Sequence, residues 1–539
     1  MRDLTIDSTN LLAKEEVQTF IDNVVIESVQ NTTRRWHSPE KREGGSLVHK
    51  DKPWEKITYF TYSTYTVIRD PDDGLFKCWY QDLDQSLEFS TLPRHILHPG
   101  AARMAYAESE DGINWTKPEL EHLEVDGRKT NVVLGGDEYG QVLCMNVVLD
   151  PRPNAGDQKF RAVYTRLWKD EATSPGPHLW DTRHIEVAHS ADGIHWQVYD
   201  ELPTFGIVGS QLGDVSVMFF DENSQEFVHN TRHPAQGAGP GMNTRSPRGE
   251  SFTPAYEPNN YASYNKRRIF QCRSYDFIHW SDPIVVAAAD DIEDNLDEAF
   301  YGMAQFKVGT VHLATVGVFR YVDNEMEVQL LVSRDGIRFG RTNKRQPFLA
   351  PRGEGYWDAH MVSMVNPPIE VGDELWFYHG GTNYHHDWWI FGVLDGIDHP
   401  EVQDPLGGSW GLGLATLRKE GFAGLYASKH REGIVVTRPL MTLGTKLEIN
   451  AKCNPGGSVR VEIADNSDEV VGSCSVDRSD AFTGDSVSHT VTWGGDATIP
   501  AGDEYRSTYR KVRFFLRDAE LFSFRFKDSA VPVSTGRIG

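Results

Sequence analysis

The chain has 539 residues, 39% of them hydrophobic and 24% charged, with 48 Gly and 27 Pro. These proportions suit a folded protein of about two to four domains and exclude disorder and collagen-like repeats. With 54 Lys and Arg against 78 Asp and Glu, the net charge is −24, a field that repels polyphosphate backbones and anionic lipid; no nucleic acid and no membrane is expected among its partners.

The N-terminal run MRDLTIDSTNLLAKEEV lacks the basic and then apolar pattern of a secretory leader, so a cytoplasmic location is expected. Residues 1–54 are mixed in character. The strand-like IDNVVIES at 21–28 is expected to complete a sheet of the following domain or to brace the last one.

Two repeats interleave between residues 55 and 425. The first reads Ser-x-Asp-Gly-x-x-Trp: SEDGINW at 109–115, SADGIHW at 190–196, SYDFIHW at 274–280 and SRDGIRF at 333–339. A short alternating strand precedes each copy, and the Ser or Asp is expected to bond turn amides under the aromatic ring. A fifth, degraded copy is RKEGF at 418–422. The second repeat is strand, acidic turn, strand, as in VIRDPDDGLFKCWY at 67–80 and VMFFDENSQEFVHN at 217–230.

Five units of about four strands predict a five-bladed β-propeller with few helices. Its inner strands should start near Ser63, Gln141, Gly213, Phe300 and Trp357. From 426 to 539, alternating segments such as KLEINAK and KVRFFLRD predict a β-sandwich, which could also mediate homo-oligomer formation. The whole is an all-β chain. Cys453 and Cys474 are expected to be reduced, buried thiols, and no cysteine pattern suggests zinc or redox chemistry.

The alternation of DP…FKxWY strand pairs with SxDGxxW turns resembles the five-bladed propeller glycosidases of glycoside hydrolase families 32, 43 and 68. More narrowly, it resembles bacterial proteins described as family-32-like, through DKPWE at 51–55, FYGMAQF at 300–306, YWDAHM at 356–361 and VTRPLMTLGTKLEIN at 436–450. The resemblance implies a glycoside hydrolase acting on an oligosaccharide or polysaccharide, possibly a furanoside. The family-32 nucleophile motif Trp-x-Asn-Asp-Pro-Asn-Gly and the Glu-Cys acid motif do not occur here. Arg69-Asp70-Pro71 copies the family's Arg-Asp-Pro by letter, but the acidic turn recurs at Asp150 and Asp221, so Asp70 reads as a hairpin turn residue.

Hydrolysis of a glycosidic bond needs two carboxyl groups flanking it, and the propeller collects them at the starts of its inner strands. Three acids stand there: Asp214, ahead of an apolar strand; Asp358, beside Trp357; and Glu298, before Phe300. Their separation, which sets retention or inversion, is open. Trp357 and Trp54 are candidate stacking platforms for a sugar ring. Arg232 and His229 could bind hydroxyls or a carboxylate, and His360, on one strand face with Asp358 beside Trp357, is a further substrate-binding candidate. His379, His385 and His386 invite a metal reading, but neighbouring histidines on an extended segment point opposite ways. They are read as a substrate-lining loop that includes His386, with no metal and no cofactor. Residues 234–262 form a Gly- and Pro-rich insertion expected to fold over the channel mouth. Two other readings stay open: a glycoside phosphorylase or transglycosylase, with Arg232 and Lys266-Arg267-Arg268 holding phosphate, and a glycan-binding propeller without catalysis.

Overall fold

A computed structural model describes residues 15–83, 102–135, 141–167, 183–201, 203–204, 215–233, 267–290, 292–295, 297–386, 388–389, 397–500 and 509–529. Strands dominate, as the period-two patterning requires, and among these residues Pro400–Gln403 forms a short α-helix.

Four antiparallel sheets follow one another in sequence and a fifth closes the ring. Their innermost strands are Tyr65–Arg69, Gln141–Leu149, Ser216–Asp221, Glu298–Val308 and Met361–Ser363. Each start lies within a few residues of its expected position. The fourth and fifth sheets are joined by the parallel bridge Met326–Met361. Near the axis, Ser63 Oγ lies 2.8 Å from Cys144 O and 2.6 Å from Ser216 O, linking three blades. Closure of the ring is made by Tyr65 of the first blade, whose hydroxyl donates to Ser363 O at 2.8 Å and accepts Gly380 N–H at 2.7 Å.

The Ser-x-Asp-Gly repeat forms the turn after the third strand of blades one to four. In every copy the Asp Oδ1 accepts backbone N–H from the second and third residues after it, at 2.8–2.9 Å. Ser Oγ donates to the same carboxylate and accepts the next turn amide. That amide belongs to a residue with positive φ, hence the Gly; in the third copy Phe277 occupies it at φ 75°. Trp115, Trp196 and Trp280 each donate Nε1–H back into their own turn, and Trp196 and Trp280 are buried.

These turns also fasten neighbouring blades. Tyr378 of blade five donates to Gly112 O of blade one, Trp79 of blade one to Gly193 O of blade two, and Gln271 of blade three to Gly336 O of blade four. At the same end of the blades, Asp70 closes its hairpin as expected, accepting Asp72 N–H and pairing with Lys77 and Lys159. Asp150 does the same with Arg152 and Arg161.

The N-terminal segment serves both parts of the molecule. Ile26–Gln30 and Thr32–Trp36 join the C-terminal sheet, whereas Glu40–Lys41 and Val48–His49 are edge strands of the fifth blade, paired with Trp410–Arg418. Ala423–Ala427 leaves the propeller and pairs within the C-terminal sheet. In the sandwich, two 21-residue strands, Gly444–Ala464 and Tyr509–Ser529, pair along their length with a register shift between Cys453 and Ser458. Their inward residues, Val459, Val461, Phe514, Phe524 and Phe526 among them, surround Trp493. Cys453 and Cys474 are free thiols; Cys474 is buried as expected, whereas Cys453 is only half-buried.

Candidate active site

The inner strands all begin on one face of the propeller, and the second strands end there. The sequence therefore delivers to this face the residues just before each first strand and just after each second one. Arg232 is the penultimate residue of the second strand of blade three, Arg267 precedes the third, Tyr301 stands early in the first strand of blade four, and His386 follows the second strand of blade five.

The other three converge on the Tyr301 ring. The Arg232 guanidinium lies 3.8 Å above the Tyr301 centroid, and that of Arg267 lies 5.0 Å from it. His386 Nε2 sits 2.6 Å from the Tyr301 hydroxyl, with the two rings edge to face at 4.8 Å. Both arginines thus face the electron-rich side of the phenol, the arrangement that favours a guanidinium over an aromatic ring. Arg267 Nη1 is buried and makes no hydrogen bond among the described residues. Tyr59 of blade one borders the same space: burial raises its phenol pKa well above the ordinary value, Tyr301 adds to the rise and Arg232 opposes it. Behind Tyr59, Trp410 at 4.7 Å and Trp389 at 6.2 Å form an aromatic wall.

Of the residues picked from sequence, Arg232 and His386 are brought together here. Asp214 and the insertion at 234–262 lie outside the described residues. Asp358 is fully buried, with Lys41 Nζ of the edge strand 2.5 Å from its Oδ2 and Arg352 Nε 3.7 Å from its Oδ1. Trp357 beside it stacks on His379, rings 5.6 Å apart and nearly parallel. Burial, and then the Lys41 charge, holds His379 well below the usual histidine range. Glu298 is buried too, accepting from Asn295 and facing Arg320 at 3.6 Å.

His229 and Trp54 are placed in blade cores rather than at the mouth. His229 has no exposed surface, packs edge to face with Trp280, and burial pushes its pKa down to about 3. Trp54 is buried and donates Nε1–H to Asn131. Both sit on well-packed blade faces, so the expected stacking and binding roles do not match their surroundings.

His360 belongs to a second group on the same face. Its Nδ1 is 2.9 Å from Glu325 Oε1 and its Nε2 3.3 Å from Glu354 Oε1, and its ring stacks on His385 at 3.9 Å. Burial lowers the His360 pKa, but the Glu325 bond and the charges of Glu325, Glu354 and Glu401 outweigh it and the net shift is upward. His385 and His386 have separate partners, His386 bonding Tyr301 and His385 lying 2.7 Å from Glu401. The partners Tyr301, Glu401 and His399 were not singled out from sequence. Tyr301 could have been, from its place at the head of an inner strand; nothing local marks Glu401.

No family model matches the chain, and no curated protein matches it. Solved structures similar to it include a β-1,2-mannobiose phosphorylase from Listeria innocua at 11% identity, covering 71% of this chain and 97% of that one, TM-score 0.43. An N-acetylgalactosamine deacetylase from F. plautii is 13% identical over 72% of this chain and 96% of that one, TM-score 0.42. A Bombyx mori family-32 β-fructofuranosidase is 11% identical over 92% and 95%, TM-score 0.37. Likeness at this level assigns no activity to this chain.

Proposed function

We propose that the protein is a carbohydrate-active enzyme that cleaves glycosidic bonds at the propeller face where the inner strands begin. One observation carries this reading: Arg232, Tyr301 and His386 arrive from three different blades and meet at a single point. A guanidinium fork beside aromatic surface suits a polyhydroxylated ring, with hydroxyls bonded at its edge and C–H bonds against the aromatic face. In hydrolysis one carboxyl group protonates the leaving oxygen and another activates water or attacks the anomeric carbon. Asp214 is the first candidate, one residue ahead of Val215 and the inner strand of blade three. Asp358 and Glu298, held by Lys41 and Arg320, are the alternates.

A second reading is favoured by the two guanidiniums at the Tyr301 ring, each a cationic fork of the kind that holds phosphate. In phosphorolysis a phosphate oxygen bonds to the anomeric carbon, the glycosidic C–O bond breaks and the departing oxygen takes a proton. A screen of fructans, arabinans, and fucosylated, galactosylated and mannosylated oligosaccharides, with and without inorganic phosphate, separates the readings. Free reducing sugar in both arms supports hydrolysis, and sugar 1-phosphate in the phosphate arm alone supports phosphorolysis. Binding with no cleavage in either arm contradicts both.

A further inference from the structure

Beside the Tyr301 cluster, a set of histidines and carboxylates remains that glycosidic chemistry does not use. Glu401 is the centre of it. Its side chain is 1% exposed, and the residues ion-paired with it are histidines, with no Lys or Arg among the described residues. Its Oε1 lies 2.7 Å from His385 Nδ1 and 2.9 Å from His399 Nδ1, and the three donor atoms lie within 4.8 Å of one another. His399 Nδ1 is buried and, though close, makes no hydrogen bond in this arrangement. Two imidazole nitrogens thus address one buried carboxylate oxygen, and one of them does so off the hydrogen-bonding direction. His385 Nδ1 is hydrogen-bonded to this oxygen, and because ligand atoms on one tetrahedral Zn²⁺ stand about 3.3 Å apart, the contacts need open by only a few tenths of an ångström to admit the ion.

We infer that His385, His399 and Glu401 form a binding site for a divalent transition cation of the Zn²⁺ class. Two nitrogens and a carboxylate oxygen suit Zn²⁺, which takes His at about 2.0–2.1 Å and carboxylate at about 2.0–2.2 Å, whereas Ca²⁺ and Mg²⁺ prefer all-oxygen shells. Three protein ligands leave a fourth position open. The surroundings hold the ligands in place. The His385 ring lies between Trp388 at 3.8 Å and His360 at 3.9 Å, nearly parallel to both. The Glu401 Oε2 atom accepts the His385 backbone N–H at 2.8 Å. His360, fixed by Glu325, is an outer-shell positioning residue. Because His386 is the next residue and bonds Tyr301, the cation would also anchor the strand end that completes the Tyr301 cluster.

The test uses the full chain without a histidine tag, stripped with chelator and titrated with Zn²⁺ against a chromophoric competitor, with Co²⁺ absorption as a second readout. One Zn²⁺ per chain is expected, with a rise in Tm and a Co²⁺ spectrum of low-coordinate nitrogen and oxygen ligation. Glu401→Gln and His399→Ala should weaken Zn²⁺ by more than the ~10–100-fold that losing an outer-shell partner costs, and His360→Gln by no more than that. Binding that survives both ligand substitutions, binding lost only in His360→Gln, or no Zn²⁺ uptake by the folded wild type would overturn the inference.

Discussion

Trp79 of the first blade donates its indole N–H to Gly193 O in the turn of the second, at 2.6 Å, and its ring lies over that glycine. The contact joins the two repeats: an aromatic from a strand–acidic turn–strand unit docks on the Ser-x-Asp-Gly turn of its neighbour. Gly193 has φ 84°, and a Cβ there would stand 2.4 Å from Trp79 Cζ2.

Gly193→Ala is therefore expected to cost about 2–4 kcal/mol, combining left-handed backbone strain with overpacking. Gly74, at φ 77° with no atom within 4 Å of its Cβ position, supplies the control. Gly74→Ala should lose only the backbone part, about 1–2 kcal/mol. Urea unfolding of the two variants measures the difference, and equal losses would contradict the inter-blade role.

Stability should fall with acid in two stages. Burial depresses His229 to about 3 and His312 to about 4, so both stay neutral in the fold while the unfolded chain takes protons near 6.5. Their contribution is present above pH 6.5 and is lost as pH falls from there through 4 and 3. The turn acids act lower. Burial raises Asp192 and Asp335, but hydrogen bonds from their own turns outweigh it and hold both at about 2. Their contribution is present above about 3.8 and disappears as pH falls toward 2. Denaturation midpoints against pH should show both limbs, with His229→Gln flattening only the upper one; a flat profile from pH 6.5 to 4 in the wild type would refute this.

Lys41 and Asp358 form a buried pair, with 11% of one side chain and none of the other exposed. Removing one partner strands the other charge, so Lys41→Met should cost about 3–5 kcal/mol and Asp358→Asn should restore part of it in the double variant. Thermal unfolding reads this directly. An Asp358→Asn single variant that keeps full stability yet loses all sugar release would instead make Asp358 a catalytic carboxylate.

The architecture was legible because it repeats. Ser109, Ser190, Ser274 and Ser333 each precede an aspartate by two residues, and in all four the same side-chain bonds form. Period-two alternation then gave the inner strands within a few residues. The mouth was harder to read, because its geometry depends on partners distant in sequence. Asp358 reads as a free acid beside a tryptophan until Lys41, 317 residues earlier, is seen against it. Likewise His385 reads as half of a His-His pair until the chain returns with His399 and Glu401. His229 and Trp54 carry no local sign that distinguishes a packed blade face from a solvent-facing one.

The proposed activity is glycosidic cleavage at the cluster of Arg232, Tyr301 and His386, with Asp214 as the first catalytic candidate. Its most direct test is anomer-resolved NMR of oligosaccharide cleavage by the wild type, Asp214→Asn and Arg232→Gln, each confirmed folded and each run with and without phosphate. The account predicts cleavage by the wild type and a loss of about 10²–10⁴-fold in Asp214→Asn, the usual worth of a positioned acid or base. Arg232→Gln should weaken substrate binding or abolish the phosphate-dependent product. Cleavage unchanged in both variants, or glycan binding by a wild type that cleaves none of the substrates, would contradict it.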